Sequence, residues 1–102
     1  MIEVDLTTFE RALGSGAHVI DVREADEYEQ VRVPGVTPIP LSEFVERVDE
    51  IPDAETVYVI CAVGGRSLQV ARYLHARGIN AVSVAGGTSA WSQSGRPVET
   101  GV

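Results

Sequence analysis

The stretch of this sequence whose residue types and spacing could do chemistry is Cys61-Ala62-Val63-Gly64-Gly65-Arg66-Ser67. A cysteine becomes a strong nucleophile once its thiol is ionised. Two adjacent glycines let the backbone curl so that successive N–H groups point inward as an anion nest. Those amides, together with the Arg66 guanidinium, favour thiolate over thiol. The implied device is a nucleophilic sulfur, Cys61, inside a ring of donors formed by Ala62, Val63, Gly64, Gly65 and Arg66. Such a ring can hold a transferred anionic group. Arg66 is also placed to orient the loop through side-chain hydrogen bonds. Ser67 is expected to cap the helix that follows. A lone free cysteine is usually a small buried hydrophobe. The Gly-Gly-Arg-Ser continuation is what argues otherwise here.

A loop of this kind works only where a strand delivers it and a helix receives it. Thr56-Val57-Tyr58-Val59-Ile60 is nearly all apolar, the pattern of a strand covered on both faces of a parallel sheet. A helix is predicted from about Ser67 to Arg77, with a stop at Gly78. In open parallel sheets ligands bind at the carboxyl ends of strands, where a helix N-terminus offers free amides and about half a positive charge.

The rest of the chain repeats the alternation. Thr7-Thr8-Phe9-Glu10 fits a capping box, opening a helix that should end at Gly14-Ser15-Gly16. Ala17 to Val22 reads as a buried strand, and residues 24–31 are acid-rich with a helical pattern. Val33-Pro34-Gly35 is a turn, and Pro38-Ile39-Pro40 permits only a brief edge strand. Leu41, Phe44, Val45, Val48 and Ile51 form one stripe of a 3.6-residue period, which predicts a helix over 41–51 before Pro52-Asp53 stops it. A last strand from Asn80 to Ala85 runs into Gly86-Gly87 and a short helix carrying Trp91. Strands alternating with helices predict an α/β fold around a mostly parallel sheet, with right-handed connections.

Composition narrows the function. At 102 residues the chain is expected to form a single domain, 1–102, around one core. Fifteen acids against eight bases, all arginine, give a formal charge of −7. That balance repels phosphate backbones, so nucleic acid is not an expected partner. One cysteine excludes an intrachain disulfide, and His18 and His75 add no recognisable metal-ligand spacing. No metal and no organic cofactor is expected. The N-terminus, Met1-Ile2-Glu3-Val4-Asp5, lacks the bases and apolar run of a secretory signal, and no stretch approaches the roughly 20 apolar residues of a membrane span. A cytoplasmic protein without a membrane partner is the expectation, and a reducing compartment suits a free thiol.

Four further positions flank the loop. Asp21 and Arg23 end the second strand on the same rim, and Gly86 and Gly87 permit close backbone approach beside it. Trp91 reads as core or pocket wall. His75, within the helix after the loop, reads as a solvated surface residue rather than a base. No Ser-His-Asp set or carboxylate pair can be assembled.

Over nearly its whole length, and in order, the chain resembles the rhodanese family, specifically its single-domain sulfurtransferases. Ile20-Asp21-Val22-Arg23-Glu24 followed by Glu27-Tyr28 is similar to the family's first signature. Val33-Pro34-Gly35-Val36 with Ile39-Pro40-Leu41 is similar to its Ile-Pro-Gly-Ala…Ile-Pro segment, Cys61 to Ser67 to its Cys-x-x-Gly-x-Arg-Ser loop, and Val84-Ala85-Gly86-Gly87 through Trp91 to its closing Gly-Gly…Trp signature. The resemblance implies a rhodanese-like three-layer fold, with helices on both faces of the sheet. It implies a thiosulfate-type sulfurtransferase that carries sulfane sulfur as a Cys61 persulfide, without cofactor. The implied partners are a small donor (thiosulfate or a persulfide), a thiol or cyanide acceptor, and a sulfur-carrying protein. Asp21 and Arg23 are then structural ties between loops. Two positions depart from the pattern: Arg32 stands where the family has histidine before Ile-Pro-Gly, and Ala62 stands where many members have arginine. Arg66 is left as the only cation in the loop.

Two other classes compete: a cysteine phosphatase or arsenate reductase on the same scaffold, and a non-catalytic interaction module. Related phosphatases have a loop one residue longer than the six from Cys61 to Arg66, and inactive relatives usually lack the cysteine. A fold by itself establishes neither.

Overall fold

The computed structural model describes residues 2–101; Met1, which opens the acidic N-terminal stretch, and Val102 lie outside them. Five parallel strands form the centre: β1 Glu3–Val4, β2 His18–Asp21, β3 Thr37–Pro38, β4 Val57–Ile60 and β5 Ala81–Val84, in the spatial order β1-β5-β4-β2-β3. The helices are α1 Leu6–Gly14, α2 Ala25–Gln30, α3 Gly65–Ala76 and α4 Gly87–Gln93. This is the α/β architecture expected, and β3 is the short edge strand its flanking prolines dictate.

Side-chain alternation along the strands separates two apolar layers. Ile20 and Val22 of the β2 segment, with Val57, Val59 and Cys61 of the β4 segment, pack against Phe44 and against Val70, Ala71 and Leu74 of α3. On the opposite face Val19, Ile60 and Val84 meet Phe9 of α1 and Trp91 of α4. The rings of Phe9 and Trp91 meet edge to face, with centroids 5.5 Å apart. Each such buried side chain contributes about 1.5–3 kcal/mol. The same two-residue period sends Cys61 to the α3 face. That is what aims its sulfur under the first turn of α3. No helix among the described residues is long and apolar enough to cross a membrane.

Three local readings need correction. The helix expected over 41–51 is two 3₁₀ turns, Leu41–Glu43 and Val48–Glu50. A period of three residues still points Leu41 with Phe44, and Val48 with Ile51, inward. Val45, the residue that distinguishes a 3.6 period, is 67% exposed. The N-cap of α1 is Asp5 rather than Thr7: its carboxylate accepts the Thr8 amide at 2.8 Å, so no Thr7–Glu10 box forms. Finally, α3 begins at Gly65, two residues earlier than predicted, with Gly64 at its N-cap in the left-handed region (φ +114°).

Candidate functional site

Cys61 leaves the carboxyl end of β4 with its residue only 1% exposed. The loop is therefore less open at the sulfur than its glycines suggest. Two backbone amides reach Sγ: Gly64 N–H donates at 3.1 Å and Ser67 N–H at 3.3 Å. The amides of Val63, Gly65 and Arg66 take no acceptor among the described residues, as expected for the open first turn of a helix. Val63 forms the exposed lip of the loop.

Ser67 does not cap α3. It lies inside the first turn, fully buried, with Oγ 3.3 Å from Cys61 Sγ, 2.7 Å from Ser83 Oγ and 3.2 Å from the Gly64 carbonyl. Because α3 starts two residues early, the serine falls beneath the thiol. Its single proton can serve the Gly64 carbonyl or, once the sulfur ionises, the thiolate, with the Ser83 hydroxyl donating in behind it. Burial pushes the Cys61 thiol up. The Ser67 hydroxyl and the amides around the sulfur, those of Ser67 and Gly64 foremost, outweigh it, so the thiol sits below its ordinary value of 9.0.

Arg66 makes no bond to the sulfur. Its Nη1 and Nη2 donate to Glu27 at 2.7 and 2.9 Å, tying α3 to α2. The guanidinium draws the Glu27 carboxyl down to about 2, against the opposing effect of its partial burial. The side-chain hydrogen bonding expected of Arg66 is thus present, whereas the donors that set the thiol's acidity are the hydroxyl and the amides. Asp21 and Arg23 form a buried bidentate pair, and Arg23 also donates to the carbonyls of Glu27 and Val31 at 3.2 and 2.7 Å. They stitch the rim together, and Arg23 also lines the cleft beside Ala62.

The far wall is α4. Thr88 N–H donates to the Cys61 carbonyl and Ser89 N–H to the Ala62 carbonyl, both at 2.9 Å. Gly87 (φ +59°) allows this approach, since a Cβ there would strike the Cys61 carbonyl oxygen and lie 2.6 Å from that of Ala62. Gly86 (φ +80°) sits at the α4 N-cap, where a Cβ would come 2.7 Å from Ala90 Cβ. Trp91 is buried, with Nε1 donating to the Pro97 carbonyl at 2.7 Å. His75 stands apart, exposed at the far end of α3, its Nε2 2.9 Å from the Ala81 carbonyl. Arg32, at the family's histidine position, lies over Tyr28 and donates to the Gly101 and Tyr28 carbonyls.

Two contacts of the site escaped the sequence reading, those of Ser83 and of Glu27. Ser83 is the lone hydroxyl in an otherwise apolar strand, a signal that was present. Glu27 meets Arg66 from 39 positions away, and nothing local announces that contact. No group of three His, Cys, Asp or Glu side chains is placed to hold a metal among the described residues.

Comparison with known proteins places the geometry in context. The rhodanese-like domain family matches residues 5–94. Bacillus subtilis YrkF, provisionally named a sulfur carrier protein, is 36% identical over 93 residues, which are 88% of this chain and 50% of that one. The thiosulfate sulfurtransferase PspE of Escherichia coli is 42% identical over 72 residues, 69% of each chain. The chain thus spans half the length of the first relative and just over two thirds of the second. The crystal structure of a rhodanese-related protein from Thermoplasma volcanium superposes with a TM-score of 0.90 at 29% identity, covering 97% of this chain and 98% of that one.

Proposed function

The chain belongs to the rhodanese-like family, and from that premise we propose that it moves sulfane sulfur from a donor to a thiophilic acceptor through a persulfide on Cys61. The observation that carries the reading is the thiol itself: a buried sulfur at the mouth of a helix that accepts two amides and lies 3.3 Å from a serine hydroxyl. The thiolate attacks the outer sulfur of the donor. The sulfur–sulfur bond of the donor breaks, its electron pair leaving as sulfite when the donor is thiosulfate or as a thiolate when it is a persulfide. The new Cys61–sulfur bond places the outer sulfur against the open amides of Val63, Gly65 and Arg66, which stabilise its negative charge. An acceptor then attacks that outer sulfur and regenerates the thiolate. Cyanide serves in an assay; a cellular thiol or a sulfur-carrying protein serves as natural acceptor. Dividing one transfer into two displacements predicts ping-pong kinetics.

Intact-mass measurement tests this. Incubation with thiosulfate, or with a persulfide, should leave the protein one sulfur atom heavier, and cyanide should remove that mass. Cys61→Ser should gain nothing. A protein that no sulfane donor loads is not a sulfurtransferase.

A further inference from the structure

The loop holds one cation, and the fold has taken it out of use. Arg66 is held by both oxygens of Glu27, and Glu27 is itself fixed, since its Oε1 also accepts the Glu24 amide at 3.1 Å. Arg23, the other guanidinium reaching this rim, is 4% exposed and is bonded to the Asp21 carboxylate and two carbonyls. Ala62 contributes no charge. Beside Ala62 opens a cleft of about 270 Å³ whose walls include this Asp21-paired Arg23 together with Thr88, Ser89, Ser92 and Gln93. The Thr88 hydroxyl is buried in that wall without a hydrogen-bond partner among the described residues. A donor's leaving group would therefore meet hydroxyls, an amide and a guanidinium already paired with Asp21, and no unpaired cation. The chain around it carries a net charge of −7.

We propose that Glu27 is a specificity-determining residue: by pairing with Arg66 it makes the site select organic persulfides over dianionic thiosulfate. This rests on the sulfur-transfer reading above and deepens it. With a persulfide R–S–SH, the Cys61 thiolate bonds to the outer sulfur, which keeps its proton, and the R–S⁻ group departs with the electron pair. Only one negative charge is present throughout. With thiosulfate the same attack brings a thiolate to a dianion, so three negative charges share a site whose two guanidiniums are each already paired with a carboxylate. Dipoles at the sulfur suffice for the transferred atom. A sulfonate beside it calls for a guanidinium.

The test measures first-step loading by rapid-quench intact mass, at low and high salt, for wild type, Glu27→Gln and Ala62→Arg. The two donors are thiosulfate and the persulfide of 2-mercaptoethanol generated in the mixture. Glutamine can still accept the Glu24 amide, since capping boxes use either residue. The ratio of thiosulfate to persulfide loading rates should rise about tenfold in each variant, the scale of one partly exposed unit charge, and the gain should shrink with added salt. A merely damaged loop would slow both donors and leave the ratio alone, which would overturn the proposal. So would a ratio that rises in Ala62→Arg but not in Glu27→Gln. Should Glu27→Gln not fold, Ala62→Arg decides, because a ratio unmoved by an added guanidinium removes the charge argument. Loading by neither donor in the wild type would instead refute sulfur transfer itself, a result distinct from equal loading by both.

Discussion

The carboxyl edge of the sheet carries the same junction twice. At the end of β4, and again at the end of β5, the chain passes through a Gly-Gly pair into a helix whose N-cap glycine has positive φ, +114° at Gly64 and +80° at Gly86. The first junction leaves amides free and turns two others onto a sulfur. The second turns its amides onto the carbonyls of the first, through Thr88 and Ser89. Identical local chemistry thus gives a nest in one place and a buttress in the other. The difference lies in what each helix start faces: a side chain that can ionise, or a backbone that cannot.

The comparison breaks first at the nucleophile. Cys61→Ser should lower sulfur transfer at least a hundredfold, because a hydroxyl forms no persulfide, while the far-ultraviolet circular dichroism stays native. Turnover within a few fold of wild type would move the chemistry elsewhere. Next comes the buttress. Gly87→Ala must occupy φ +59° and push a methyl into the Cys61 and Ala62 carbonyls. It should cost about 2–4 kcal/mol in urea unfolding and slow Cys61 alkylation in the protein that remains folded. A loss under about 1 kcal/mol would mean that α4 does not hold the loop.

The two junctions also differ in how much of them could be read from sequence. Strand alternation located β2, β4 and β5 within a residue or two, because an apolar run covered on both faces leaves few other readings. The thiol loop was legible for the same reason: its glycines and cysteine are contiguous. Residues 41–51 were not, since Leu41, Phe44, Val48 and Ile51 satisfy periods of 3.6 and 3.0 alike, and only the exposure of Val45 separates them. Ser67 was placed in the right neighbourhood with the wrong task, a two-residue shift in helix start being enough to turn a cap into a sulfur ligand. Glu27 and Ser83 reach the site through tertiary contact, which no window of local sequence contains.

A third experiment probes how each junction is braced. Ser67→Ala removes one of the donors that hold the thiol below its ordinary value. The inflection of iodoacetamide reactivity against pH should lie below 9.0 in wild type and move upward in the variant. An unmoved inflection would leave the amides as the whole cause. The β4–α3 junction is braced by charge as well. Glu27 titrates near 2 in the folded protein against an ordinary 4.5, a depressed value, so its stabilisation is complete above 4.5 and disappears as pH falls through 2. Stability of wild type over Glu27→Gln should accordingly be full at neutral pH and vanish in that acid window. The β5–α4 junction, made of backbone bonds, has no counterpart to this titration.

The smallest effect is the sharpest contrast, because it repeats the Gly87→Ala substitution at the matching position of the other junction. Gly65 occupies the first helical residue of α3, as Gly87 does in α4. Yet Gly65 does not have positive φ, and a Cβ built on it meets nothing within 4 Å. The nest side of the edge is open where the buttress side is in contact. Alanine there costs no strain and removes conformational freedom from the unfolded chain, which stabilises by about 0.4–1 kcal/mol. The expected result is a melting temperature raised by about 2–5 °C, with Gly87→Ala lowered in the same assay. A lowered melting temperature for Gly65→Ala would show that the α3 turn is as tightly enclosed as the α4 turn. The free space over Gly65, which distinguishes a nest from a buttress, would then be absent.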